Sequence, residues 1–177
     1  ADMAQARSMQ AFGNGMPSRV FAMTEQSRQN FDSGALLTTG RDLDLAIEGE
    51  GWFAVQSKDG SEAYTRSGQL HMTEEGALQT SEGELVIGDG GPIFIPLPVK
   101  NIEIARDGTI MIQPEGAPSS VQEEVARIKF VNPNHRFLEK GNDGLFRMKT
   151  GGDAQEDINV RVRKGMIEAS NVNPISE

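Results

Sequence analysis

The stretch LDLAIEGEGWFAV, residues 43–55, constrains the fold of this chain more than any other segment. Leu43, Leu45 and Ile47 alternate with Asp44 and Glu48, the period of two that sets one face of a strand in a core and the other in water. Gly49 and Gly51 break the pattern, and it resumes as Trp52, Phe53 and Val55. Asp59-Gly60 then supplies a tight turn before a second strand-like run at 62–66. The pattern predicts a β-meander whose core motif is Leu43, Leu45 and Ile47 with at least one of Trp52 and Phe53, adjacent residues that face opposite sides of a strand.

The rest of the chain repeats this grammar. Strand-like runs fall at 35–38, 70–73, 77–80, 85–87 and 93–95, with Glu75-Gly76 and Gly88-Asp89-Gly90-Gly91-Pro92 as turns. Residues 102–105 pair naturally with 109–112 across Asp107-Gly108, whereas Pro96 and Pro98 argue against a central strand between them and the preceding run. Past the Pro/Gly-rich loop at 114–118, residues 125–131 alternate as a strand, although Glu123 and Glu124 also suit the opening turn of a helix over 119–127. Residues 134–140 read as irregular, 145–148 as a strand and 151–157 as a mobile polar loop. Two final strands, 160–163 and 166–169, flank Lys164-Gly165.

The expected fold class is therefore mainly β, built of short antiparallel strands and tight turns. Residues 35–177 form a single core domain in this reading. Residues 1–34 form an extended lead-in, with a helical tendency near 3–11 and an extended run at 19–23. Gly13, Gly15 and Pro17 interrupt any longer helix there. The first 18 residues bring few large apolar groups to a core and are expected to be the most mobile.

Charge is spread unevenly. Of 26 acids and 17 bases, residues 41–91 hold eleven acids against three bases, while 1–40 balance at three each and 92–177 hold twelve against eleven. A net charge of -9 repels phosphate, so nucleic acid is not an expected partner despite Arg161, Arg163 and Lys164. That basic cluster is instead the candidate subunit contact, complementary to the acidic stretch of a neighbour. The plainer reading of the acidic stretch is solvated strand faces. With no cysteine there is no disulfide or thiolate site. No apolar run approaches the roughly 18 to 20 residues of a membrane span, and the first ten residues lack the apolar segment of a secretory signal.

Catalytic patterns find no support. His71 and His135 are the only imidazoles and neither has a partner at ligand spacing. Adjacent acids such as Glu74-Glu75 and Glu123-Glu124 point to opposite faces of a strand, Ser67, Ser119 and Ser120 lack a nucleophile elbow, and residues 83–91 lack the Gly-Lys-Ser/Thr ending of a phosphate loop. No catalytic residue, metal, cofactor or small-molecule substrate is expected. Trp52, Phe53 and Tyr64 leave one functional alternative, a carbohydrate-binding or hydrolytic extracellular β-domain with a sugar-stacking platform.

Several separated phrases carry a resemblance. The 43–55 stretch, Gly34-Ala35-Leu36 to Thr39-Gly40, Ala63-Tyr64-Thr65-Arg66-Ser67-Gly68 and Arg106-Asp107-Gly108-Thr109-Ile110 come first. They are followed by Val131-Asn132-Pro133 with Leu138 and residues 141–146, and by Ala169-Ser170-Asn171-Val172-Asn173. In this order they resemble the bacterial flagellar axial proteins of the rod and hook, over residues 34–174. Residues 86–93 are most similar to the proximal-rod class, with the distal rod as the near alternative. The resemblance implies a structural subunit of the basal-body rod, exported by the flagellar type III apparatus without a cleaved signal. Such a subunit stacks helically with other axial subunits in the periplasm-spanning rod, transmits torque from motor to hook and filament, and inserts in no membrane. Family members begin and end with helices that are expected to be missing here, which makes the chain alone a monomer.

Overall fold

The computed structural model describes residues 34–169, which belong to one compact unit beginning at Ser33. The expected lead-in, apart from Gly34, and the stretch from Ser170 onward lie outside the described residues. Along the chain run β1 (Leu36–Thr38), β2 (Leu45–Glu48), β3 (Trp52–Gln56), β4 (Glu62–Thr65), β5 (Leu70–Met72), β6 (Leu78–Thr80), β7 (Leu85–Gly88) and β8 (Gly91–Pro92). There follow β9 (Val99–Ile104), β10 (Thr109–Pro114), β11 (Glu123–Arg127), β12 (Phe130–Val131), a 3-10 turn at His135–Phe137, β13 (Leu138–Lys140), β14 (Phe146–Met148), β15 (Arg161–Lys164) and β16 (Met166–Glu168). Every ladder is antiparallel, and the fold is mainly β.

The largest sheet runs β13-β14-β4-β3-β7-β6-β5, with β12 also on β3 and β8 on β7. Beside it stand a three-stranded sheet β11-β10-β9 and the pairs β15-β2 and β1-β16. The two Asx-Gly turns behave as local chemistry dictates. Gly60 donates its N–H to the Ser57 carbonyl while Ser61 donates to the Asp59 carboxylate, so β3 returns directly as β4. At the second turn Thr109 N–H donates to Asp107, and Gly108, at φ 91°, has no room for a side chain: a Cβ would lie 2.6 Å from Cε2 of Phe130.

The expected meander is corrected at β2. It pairs not with β3 but with β15, in the register Leu45↔Lys164 to Glu48↔Arg161. The Gly49-Gly51 turn turns the chain out of one sheet and into another. Gly51, at φ 132°, leaves only 2.8 Å between an added Cβ and Cγ1 of Val160, so the turn is wedged against the start of β15.

Three local expectations also change. Residues 93–95 alternate in burial, with Ile93 and Ile95 inside and Phe94 58% exposed, yet they form only an isolated bridge from Phe94 to Ala77, flanked by Pro92 and Pro96. The run 125–131 is two strands, broken between Arg127 and Phe130, and no helix opens it: Glu123 and Glu124 are strand residues on β10. Residues 134–140, read as irregular, contain the 3-10 turn and β13.

A continuous apolar cluster joins the sheets, with Leu45, Ile47, Phe53, Leu70, Leu78, Ile110, Ile128 and Val162 among its members. Burial of this contiguous area is the main stabilising term.

Candidate subunit-contact site

The core motif occupies both sides of β2. Leu45, Ala46 and Ile47 are all buried, and Leu43 is half-buried against the same cluster. The simple alternation fails because Asp44 is only 1% exposed. Its carboxylate is satisfied where it is buried, accepting from Thr39 Oγ1 at 2.7 Å and forming an ion pair with Arg41. Glu48 is half-buried, not free in water.

Trp52 and Phe53 are both buried, one on each face of β3. Phe53 meets Phe130 with ring centroids 5.5 Å apart, inside the cluster of Leu45 and Ile47. Trp52 meets Phe146 at 4.6 Å on the other side. With Trp52 4% and Tyr64 0% exposed, neither ring offers a face to a sugar. The stacking platform is thereby removed.

β15 brings Arg161, Arg163 and Lys164 together, and β2 and β9 supply acids beside them. Glu48 receives Arg106 Nη2 at 2.8 Å on one carboxylate oxygen and Arg163 Nε at 3.1 Å on the other. Lys164 Nζ reaches Glu103 at 2.9 Å. Arg161 turns Nη1 onto the carbonyls of Ile158 and Val160, at 2.8 and 3.0 Å. The hydrogen bond from Arg106, then that from Arg163, holds the Glu48 carboxyl below its ordinary value against the opposing effect of desolvation. The Glu103 carboxylate raises Lys164. The cluster thus carries its own counter-charges, while Arg163 and Lys164 keep 55% and 43% of their side chains exposed.

Two polar constellations escaped the sequence. Arg66 donates Nε and Nη2 to the two carboxylate oxygens of Glu168 at 2.9 and 3.0 Å, and Nη1 to the carbonyls of Gly49 and Gly51 at 2.9 and 2.8 Å. It ties β4 to β16 and to the turn after β2. The only sequence signal was an arginine just past the end of β4. The second is a half-buried relay in which Lys129 Nζ donates to Glu62 at 2.7 Å and Tyr64 Oη donates to the same Glu62 oxygen at 2.7 Å. The Tyr64 oxygen in turn accepts from Ala154 N–H at 2.7 Å. Burial pushes the phenol well above its usual range. Among the described residues no group of acids and imidazoles is placed to hold a metal ion, and no helix is long and apolar enough to cross a membrane.

The flagellar hook protein FlgE/F/G D1 domain family matches residues 46–112. The chain is 35% identical over 99% of its length to the flagellar basal-body rod protein FlgF of Escherichia coli K12, of which it covers 72%. It is 34% identical, again over 99% of its length, to FlgF of Salmonella typhimurium LT2, covering 71% of that protein. Its identity with the rod protein FlgG of Bacillus subtilis is 30%, over 82% of the chain and 57% of the relative. The segment matched by the family runs from Ala46 in β2 to Ile112 in β10 and includes Ile47, Trp52, Phe53, Arg66 and the Asp107-Gly108 hairpin. The chain belongs to the family of flagellar basal-body rod proteins, of the FlgF type.

Proposed function

We propose that the described β-body acts as one rigid unit in the basal-body rod, contacting neighbouring axial subunits through two unlike surfaces. A helical tube requires heterologous, non-closing contacts, and a stiff body bound on two sides passes torque along it. The observation that carries this reading is the 35% identity with an FlgF rod protein across 99% of the chain. The family's members are structural subunits rather than enzymes. Export through the flagellar type III apparatus belongs to the same proposal, as does a monomeric state for this chain alone.

Arg161, Arg163 and Lys164 enter the proposal as a minor electrostatic contribution. Exposed pairs are worth about 0 to 1 kcal/mol each, and Glu48 and Glu103 already occupy part of this charge. Deleting the gene abolishes rods and swimming if the reading is right, and the wild-type gene restores both. Swimming that persists in the deletion strain overturns it. Reversing Arg161 and Arg163 to Glu slows rod assembly without unfolding the domain, whereas normal swimming in that double variant removes the cluster from the contact.

A further inference from the structure

The described chain begins and ends in the ribbon β1-β16, which is built unlike the sheets behind it. Its two strands pair with each other and with no third strand, in the register Leu36↔Glu168 to Thr38↔Met166. The ribbon contributes no buried residue to the apolar cluster: Leu36, Leu37 and Thr38 are exposed, and Met166, Ile167 and Glu168 are half-buried. Local opening is cheapest where buried apolar contacts are few and backbone hydrogen bonds lie near water.

The foot of the ribbon has the make-up of a hinge. Gly40 and Gly165 abut there, both at positive φ, 79° and 77°, and a Cβ added to Gly165 would lie 3.7 Å from Cα of Gly40. Glycine changes φ and ψ at such a point without the clash that any other residue meets. The Gly165 carbonyl accepts from Thr39 N–H at 2.8 Å and Gly40 N–H at 3.0 Å, and Gly165 N–H donates to the Asp44 carbonyl at 2.8 Å. The other end is held by charge. Glu168 accepts two bonds from Arg66, at 2.9 and 3.0 Å, and one from Gly34 N–H. The same guanidinium is fixed to the body through the carbonyls of Gly49 and Gly51, so it stays aimed at the carboxylate when the ribbon departs.

We propose that β1-β16 is a clasp that opens and closes while the sheets behind it stay folded, with Gly40 and Gly165 as its hinge and Arg66 and Glu168 as its latch. Closed, Ala169 N–H donates to the Ala35 carbonyl at 2.7 Å and holds the incoming and outgoing chain side by side. Open, the two strands part and their directions become independent. Opening breaks the latch and three residue pairs but uncovers little apolar surface. One ion pair thus sets whether the chain enters and leaves the body as a unit. The device goes beyond the rod reading and does not depend on it.

The test is hydrogen exchange of the full chain in a series of urea concentrations below the unfolding transition. It is read at Thr39, Gly40 and Ala169 in the clasp and at Ala54 in β3, whose N–H donates to the Lys129 carbonyl. Urea dependence scales with the surface that an opening exposes, so the clasp amides exchange with a nearly flat dependence and Ala54 with the steep one of global unfolding. Glu168→Gln removes a charge-assisted pair and speeds exchange at the clasp amides about tenfold or more, while the dependence at Ala54 stays steep. In that background Thr38→Cys with Met166→Cys, a directly opposed pair in a chain without cysteine, restores clasp protection when oxidised and not when reduced. A steep dependence at Thr39 and Ala169 in the wild type, a measurement that needs no variant to fold, means that the ribbon opens only with the whole body and overturns the proposal. Unchanged clasp exchange in Glu168→Gln overturns it as well, and so does an oxidised variant whose clasp amides exchange as fast as the reduced one.

Discussion

At the scale of single residues, Ile47 and Glu48 separate packing from charge. Ile47 is 2% exposed in the apolar cluster, so Ile47→Ala removes contacts and leaves a cavity, at a cost of about 2 to 5 kcal/mol. Glu48→Ala releases two partly exposed arginines and costs about 1 kcal/mol. Thermal melts of the two variants check this, and equal shifts mean that the burial of β2 does not govern stability. Glu48 also gives a pH dependence with a definite sign. Its folded-state pKa lies below its ordinary value of 4.5, so its stabilisation is present above about pH 4.5 and fades as pH falls through the folded value. The melting temperature therefore drops on acidification, and less so in Glu48→Gln. An identical acid profile for the two proteins would assign the loss to other carboxylates.

At the scale of elements, the ribbon β1-β16 depends on a side chain from elsewhere. Two strands of three residues are marginal by themselves, and Leu36 and Leu37 on β1 are 42% and 51% exposed. What anchors the ribbon is Glu168, 9% exposed, clamped by Arg66 and accepting from Gly34 N–H. Arg66→Ala leaves that carboxylate without its partner and costs about 3 to 5 kcal/mol. Hydrogen exchange is expected to show Thr39 and Ala169 amides losing protection while β3 and β4 keep theirs. Unchanged protection at Thr39 would place the anchor elsewhere. The same reasoning covers the turn after β2: Gly51→Ala forces a positive φ on a residue with a Cβ and drives it into Val160, weakening β15-β2 pairing.

At the scale of the whole molecule, one apolar cluster runs through the largest sheet, the β9-β10-β11 sheet and the β15-β2 pair. Shared burial couples them, so the described body unfolds as a unit and not sheet by sheet. Far-ultraviolet circular dichroism of the chain gives a β spectrum with a single cooperative transition seen alike by tryptophan fluorescence, since Trp52 is packed on Phe146. Two separate transitions would mean that the sheets are independent domains.

Sequence alone determined whatever neighbours along the chain decide. The hairpins across Asp59-Gly60 and Asp107-Gly108 were legible, because the Asx side chain and the following glycine close those turns locally. The strand content followed from alternation and apolar bulk, which also pointed to a core at Leu43, Leu45, Ile47 and at least one of Trp52 and Phe53, whereas the fold leaves Leu43 half-buried and takes in both aromatic rings. Alternation misplaced Asp44, since a strand covered on both faces hides its polar residues as well once they find partners in Thr39 and Arg41. Only the tertiary structure decided that β2 pairs with β15, that Arg66 reaches Glu168, and that Tyr64 accepts from the Ala154 amide. The same holds for Arg163 and Lys164, whose charge was plain but whose counter-ions, Glu48 and Glu103, lie far off in sequence. These contacts join residues distant along the chain, and no local period or turn signal records which partner a buried donor or an open strand edge will find.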